Sequence, residues 1–420
     1  MALLQLPSPR STVAWRFATL ALAVATLTGC GAPQGQVVTL DPIEFKVDRT
    51  GGEPRVYVRD EAALTQEAMA KYEAAEWAEA VRLFDVILRE FPQTTNRFAL
   101  LYNAGLALLH LRKPAQAAER FSQAMQAGEG TRQARDALFL LAEAQEQAGQ
   151  FAASAATLKS ALEDAAVQQR IGGPLGLLDQ LEATARVGLV LRKAGDPTGA
   201  DLQFRRIERL YNDHRDVALV GESEWVARAL YERGEIYREL FTSIRFKLPV
   251  DRMKRDLEDK ANLFLKAETV YFKCVRLQHR KWALAAGFEI GHLYSRLIDD
   301  IENAEAPDGL DEFTLDVYRD ELWNHTERLA KRSIVIYRNN IQLAERLGEA
   351  GSDWVAKSEE QIARMEAMIE ANNQRRARLM QAGMPAPTAP PPSSEPVTDE
   401  PPTKEEPKPS KPQPTGQPVV

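Results

Sequence analysis

Cysteine is almost absent. Of 420 residues only Cys30 and Cys274 carry a thiol, which excludes a disulfide-built scaffold and any multi-cysteine zinc or iron–sulfur site. Proline is scarce through the middle of the chain: six of the 24 prolines lie between Asp60 and Met384, whereas thirteen crowd into the last 36 residues. A proline inside a helix removes a hydrogen bond and clashes with the preceding turn, so that gap admits a long all-helical middle. Histidine is equally sparse, and no pair among His110, His214, His279, His292 and His325 has the i, i+4 spacing of an HExxH zinc helix. Excess positive charge is lacking too: 53 basic and 60 acidic residues leave a net −7, which argues against a nucleic-acid footprint. No Walker sequence occurs. Gly172-Gly173-Pro174-Leu175-Gly176 has the wrong spacing for a dinucleotide loop, and Gly221-Glu222-Ser223-Glu224-Trp225 lacks the second glycine of a nucleophile elbow. Paired acids such as Asp299-Asp300 and Glu359-Glu360 read as solvated carboxylates on charged helix faces. These absences point away from an enzyme and imply no cofactor and no metal.

What is there begins with an address. Residues 1–29 contain Arg10 and Arg16, no acidic residue, and an apolar run from Phe17 to Leu27. Eleven residues are too few to span a bilayer, which needs roughly 20, but they suit the core of a secretory signal. The run ends in Leu27-Thr28-Gly29-Cys30, which resembles the lipobox of bacterial lipoproteins. The resemblance implies cleavage before Cys30 and lipidation of its thiol; the alternative is an ordinary signal peptide with an incidental cysteine. Gly31 follows where an aspartate retains enterobacterial lipoproteins at the inner membrane, so the resemblance favours the outer membrane. Cys274 lies in an apolar helical pattern beside Tyr271 and Phe272 and reads as a packing thiol rather than a reactive one. Residues 30–59 form a tether; Phe45 and Val47 alternate with Glu44 and Lys46, and Arg55-Val56-Tyr57-Val58 is a second extended stretch.

From Asp60, a fitting helix cap, the chain repeats. A first helix carries a small residue (Ala68, Gly105, Ala142, Gly188). Twelve residues later a second carries another (Ala80, Ala117, Ser154, Ala200), followed after four by a large apolar residue (Phe84, Phe121, Leu158, Phe204). Three further on stand Ile87, Ala124, Ala161 and Ile207. Small residues let two antiparallel helices approach, and the large one fills the gap toward the next hairpin. Trp77, Pro114, Phe151 and Pro197 precede the second small residue by three, where the chain turns. No such hairpin buries its apolar face alone, so stacking is required.

Over residues 60–210 this pattern resembles the tetratricopeptide repeat (TPR) family. The copies depart from it: the spacing is 37, 37 and 46 residues, the closing proline appears only as Pro92, and Ser154 replaces an alanine. The alternative is a non-repetitive helical bundle. Residues 211–383 read as divergent repeats with longer helices, on the evidence of Gly234 and Tyr237, Ala267, Tyr271 and Cys274, and Gly291 and Tyr294. The expected fold is therefore all-α, a TPR-like α-solenoid of five to seven hairpins. Residues 384–420 are a Pro-rich tail whose composition cannot assemble a core. At ~3.1 Å per residue in polyproline II it reaches roughly 110 Å, as a passive tail or as a spacer or ligand. The basic cluster Arg375-Arg376-Arg378 either opposes a helix dipole or meets an anionic surface.

The TPR resemblance implies a partner-binding groove lined by first helices. Its places fall on Met69 and Tyr72, on Tyr102, Leu106 and Leu109, on Phe139, Glu143 and Glu146, and on Leu189 and Arg192. Thr65 and Met69 stand where the TPR carboxylate clamp needs a lysine and an asparagine, so an amphipathic helix or extended peptide is the better ligand. The resulting expectation is a lipid-anchored outer-membrane protein facing the periplasm, scaffolding an envelope complex in assembly, secretion or gliding motility. Its long aromatic helices resemble most the myxobacterial gliding-motility TPR lipoproteins. The alternative is a structural lipoprotein that contacts peptidoglycan through the tail.

Overall fold

A computed structural model describes residues 44–48 and 55–383, with side chains from residue 60 onward. The signal segment, Cys30 and the Pro-rich tail lie outside the described residues. Two units are distinguished, Met1–Asp60 and Glu61–Val420. In the first, strands β1 (Glu44–Asp48) and β2 (Arg55–Arg59) pair antiparallel, with Phe45 opposite Val58 and Val47 opposite Val56. The two extended stretches read as tether thus form a hairpin.

The second unit opens with six helices in three hairpins: α1 (Glu61–Glu73) with α2 (Trp77–Glu90), α3 (Arg97–His110) with α4 (Pro114–Ala127), and α5 (Arg132–Gln147) with α6 (Phe151–Glu163). After the short α7 (Ala165–Arg170), α8 (Leu177–Lys193) pairs with α9 (Pro197–Asp213). Past α10 (Ala218–Gly221), α11 (Glu224–Ser243) pairs with α12 (Val250–Arg276), and α13 (Arg280–Glu302) with α14 (Glu312–Leu347). A last helix, α15 (Asp353–Gln381), lies on α14 and α13. Among the described residues there are thus six hairpins, within the expected five to seven.

The turn inside each of the first four hairpins has one geometry. Ala75, Arg112, Gly149 and Gly195 each stand two residues before the second helix, and all four adopt a left-handed backbone. The second helices then start at Trp77, Pro114, Phe151 and Pro197, the places the spacing marks.

Packing follows the small–large pattern through all six hairpins. Phe84, Phe121, Leu158, Phe204, Tyr271 and Tyr337 are wholly buried, as are the small residues four positions before them, down to Ala267 and Ser333. Gly105 faces the Phe121 ring so closely that a β-carbon would stand 2.7 Å from it, and Gly188–Phe204, Gly234–Tyr271 and Gly291–Tyr337 repeat the contact. In the last two hairpins the extra residues lengthen the arms, and α14 reaches 36 residues. The extended arms build a core of their own around Ile298, Trp323, Ala330, Ile334 and Met365.

Lys260 is fully buried in that extension. Its ammonium donates to the carbonyls of Phe241 (2.6 Å) and Ile244 (3.0 Å), which end α11, and pairs with Asp300 at 2.8 Å. Burial lowers its pKa, against the pull of Asp300. Along α15 the buried residues Ser358, Met365, Asn372 and Leu379 recur every seven positions. Arg375 and Arg376 of the basic cluster are engaged in this packing: Arg375 donates to the Arg319 carbonyl (3.1 Å) and Arg376 pairs with Asp320 (3.2 Å).

Candidate functional site

Relative to the crossing residue of each first helix (Ala68, Gly105, Ala142, Gly188), the sequence-expected groove places occupy three positions: three before, one after and four after. The same register applied to Gly234 and Gly291 adds Tyr231, Glu235 and Arg238 on α11 and Phe288, His292 and the buried Ser295 on α13. The TPR resemblance marks groove places only in the first four copies, so these six are not among them, although both glycines signal them.

In the first two hairpins this face is apolar and half-buried. Met69, Tyr72, Tyr102, Leu106 and Leu109 all retain partial exposure. Tyr72 stands edge-on to Trp77 with ring centres 5.0 Å apart, and its burial raises the phenol pKa. Tyr102 packs against Phe98 (5.4 Å) and Phe121 (5.9 Å). The Asn103 amide donates to the Met69 sulfur at 3.6 Å, tying the first hairpin to the second. Phe139 and Leu189, by contrast, are buried at 5% and 6% exposure and pack into hydrophobic cores. These two places, on α5 and α8, therefore offer little surface to a ligand.

From α5 onward the face is a ladder of charges across successive first helices. Glu143 and Glu146 on α5 meet Arg186 (3.4 Å) and Lys193 (2.6 Å) on α8. Arg192 on α8 pairs with Glu232 and Glu239 on α11. Burial opposes the Arg192 charge, but the two carboxylates outweigh it and raise its pKa; Glu232, more buried, is itself pushed up by desolvation. Arg238 then grips Glu235 with two donors at 2.9 and 2.6 Å and reaches Glu289 on α13 at 3.3 Å. Burial works against the Glu235 charge as well, yet hydrogen bonds from Arg238 and Tyr271 prevail and hold its carboxyl low.

Two cavities adjoin the middle hairpins. One of about 90 Å³ lies between α11 and α13 and is lined by Arg238, Phe241, Thr242, His292, Leu293 and Arg296. The other, about 370 Å³, opens between α9, α11 and α12, where Arg233 binds Asp201 (2.8 Å) and Glu208 (2.6 Å) and Lys273 binds Glu208 (2.5 Å). Among the described residues no group of three or more His, Cys, Asp or Glu is placed to hold a metal ion. Cys274 is buried against the carbonyls of Ala227 and Trp282, and burial pushes its thiol pKa up. No helix among the described residues is long and apolar enough to cross a membrane.

Residues 62–94, which cover α1 and α2, match the tetratricopeptide repeat family model. Several solved structures are similar. A MamA structure shares 17% identity, spans 49% of this chain and 95% of its own, and superposes with a TM-score of 0.31. YrrB, described as a TPR protein with an unusual peptide-binding site, shares 18% identity over 50% of this chain and 86% of its own, with a TM-score of 0.31. The C-terminal part of a TPR repeat-containing protein from Cytophaga hutchinsonii shares 10% identity over 74% of this chain and 98% of its own, with a TM-score of 0.37. No curated protein matches the sequence.

Proposed function

We propose that this chain, a tetratricopeptide-repeat protein and as such a scaffold for protein–protein contacts, works from a lipid anchor at the periplasmic face of the outer membrane, where it holds together a multiprotein envelope complex. The observation that carries the scaffold reading is the half-buried apolar face of the first two hairpins. Met69, Tyr72, Tyr102, Leu106 and Leu109 leave partly exposed apolar surface on consecutive first helices, and an amphipathic helix or extended peptide is the ligand such a surface suits. The anchor reading rests on Leu27-Thr28-Gly29-Cys30 behind its apolar run. A lipid on Cys30 would concentrate the scaffold at the membrane, each acyl methylene contributing ~0.8 kcal/mol. Assembly, secretion and gliding machineries are the envelope complexes this reading admits.

Capture of crosslinked partners from native membranes by the tagged full chain, compared with Tyr102→Ala and Leu109→Ala chains of unchanged helicity, tests the groove. Loss of specific partners is the expected result; identical partner sets would remove the site. Incorporation of a lipid precursor into the wild type and not into Cys30→Ala tests the anchor, and an unlabelled wild type would remove it.

A further inference from the structure

The cavity between α11 and α13 brings two arginines and a histidine together. Arg238 and His292 lie in the groove register, at the places that Leu109 holds in the second hairpin and Leu106 one turn before it. Every titratable side chain lining it is basic. Their donors are only partly used. Arg238 donates through Nε and Nη2 to Glu235, and these bonds leave its Nη1 uncommitted to that carboxylate. His292 engages Glu289 through Nδ1 at 3.3 Å, so its Nε2 is not used in that contact. Arg296 reaches Asp300 through Nη2 at 3.2 Å, while its Nε is buried with no partner at all. An unmet buried donor is destabilising, so this N–H calls for an acceptor.

The charge balance points the same way. Arg245 (2.9 Å), Lys260 (2.8 Å) and Arg296 (3.2 Å) all share the one carboxylate of Asp300. Three cations thus converge on a single carboxylate beside the cavity. The cavity between α9, α11 and α12, where Asp201 and Glu208 pair Arg233 and Lys273, shows no such orphaned guanidinium nitrogen.

We propose that this cavity binds the carboxylate of a glutamate or aspartate side chain presented by a polypeptide lying along the first-helix face. The inference rests on the groove reading and names its partner chemistry: an apolar segment for the first two hairpins, with an acidic residue further along for α11 and α13. A carboxylate accepts from two guanidinium edges at once, and Phe241 and Leu293 offer apolar wall to the methylenes that carry it.

The test is a glutarate titration of the isotope-labelled full chain at fixed ionic strength, followed through the Nε–H signals of Arg238 and Arg296 and the His292 ring. Glutarate should move these signals saturably, and Arg296→Gln and His292→Gln should each weaken the response at least fivefold while melting as the wild type does. Should Arg296→Gln unfold, the exposed His292 ring supplies the variant. Shifts no larger than those of matched chloride, or unchanged in both variants, overturn the site; a response to inorganic phosphate but not to glutarate overturns the carboxylate assignment. Partner capture by the first two hairpins reads independently, so failure here and failure of the groove are distinguishable.

Discussion

Gly188 and Phe204 meet where α8 crosses α9: a β-carbon on the glycine would lie 2.5 Å from the ring Cε1. Real β-carbons do not approach carbon that closely, and the ring is wholly buried, so it cannot swing aside. Gly188→Ala should therefore destabilise the chain by about 1–3 kcal/mol through overpacking. The third hairpin shows the remedy, since there Ala142 lies opposite Leu158. The double variant Gly188→Ala, Phe204→Leu copies that pairing and should recover part of the loss. Urea midpoints of the three chains decide it, and additive losses would mean that the contact does not set helix separation.

The shared turn makes a second prediction. Ala75 and Arg112 hold φ of 59° where Gly149 and Gly195 hold 74° and 81°. A residue with a β-carbon pays roughly 1–2 kcal/mol for that region, and glycine does not. Replacing Ala75 or Arg112 with glycine should leave stability equal or higher by up to about 1 kcal/mol, the gain trimmed by the entropy glycine loses on folding. Gly149→Ala should cost about 1 kcal/mol. A thermal scan showing the reverse order would contradict the turn geometry.

Much of this fold is legible in single residues. The chain turns at Trp77, Pro114, Phe151 and Pro197, and each begins a second helix because a left-handed residue two positions earlier ends the first. The sixth copy, Ser333–Tyr337–Asn340, is hidden by spacing: 42 residues separate Gly291 from Ser333, against twelve in the early hairpins. The candidate face is less legible. Period alone places Phe139 and Leu189 beside Leu106, but exposure depends on how adjacent hairpins cover each helix, and a one-chain pattern does not carry that. Likewise nothing in the sequence pairs Arg192 with Glu232, forty residues on; only the stacking of α8 against α11 does. The basic cluster's two open readings miss what Arg375 and Arg376 do, which is to dock α15 on α14.

The ladder of charges should be energetically uneven. Arg192 and Glu232 have side chains 25% and 14% exposed, and beyond Arg192 the carboxylate has only Arg228 at 4.0 Å. Arg192→Met strands a buried carboxylate and should cost about 1.5–3 kcal/mol. Lys193 is 53% exposed in its pair with Glu146, so Lys193→Met should cost no more than about 1 kcal/mol. Adding 0.5 M salt should narrow the second loss and barely touch the first, because screening acts on exposed charge. Equal losses in urea titrations would show that burial does not rank these pairs.

Stability should also depend on pH in two opposed ways. Glu232, Glu268 and Glu302 have carboxyl pKa values raised, first by burial, so the native chain takes up their protons before the unfolded chain does. Stability therefore rises as pH falls through those raised values toward the usual 4.5. Asp201 and Glu235 behave oppositely. Burial opposes their charge, but hydrogen bonds from Arg233 and Tyr237 to Asp201, and from Arg238 and Tyr271 to Glu235, outweigh it and lower both pKa values. Their stabilisation is complete above the ordinary carboxyl range and is lost as pH falls through the lowered values, because the unfolded chain is then protonated first. The urea midpoint should pass through a maximum on the mildly acidic side and drop below about pH 4. In Asp201→Asn the whole curve should sit lower while the drop becomes shallower. A variant that keeps the full acid drop would show that Asp201 does not carry it, and a midpoint that falls steadily from pH 7 would show that the buried glutamates are not raised.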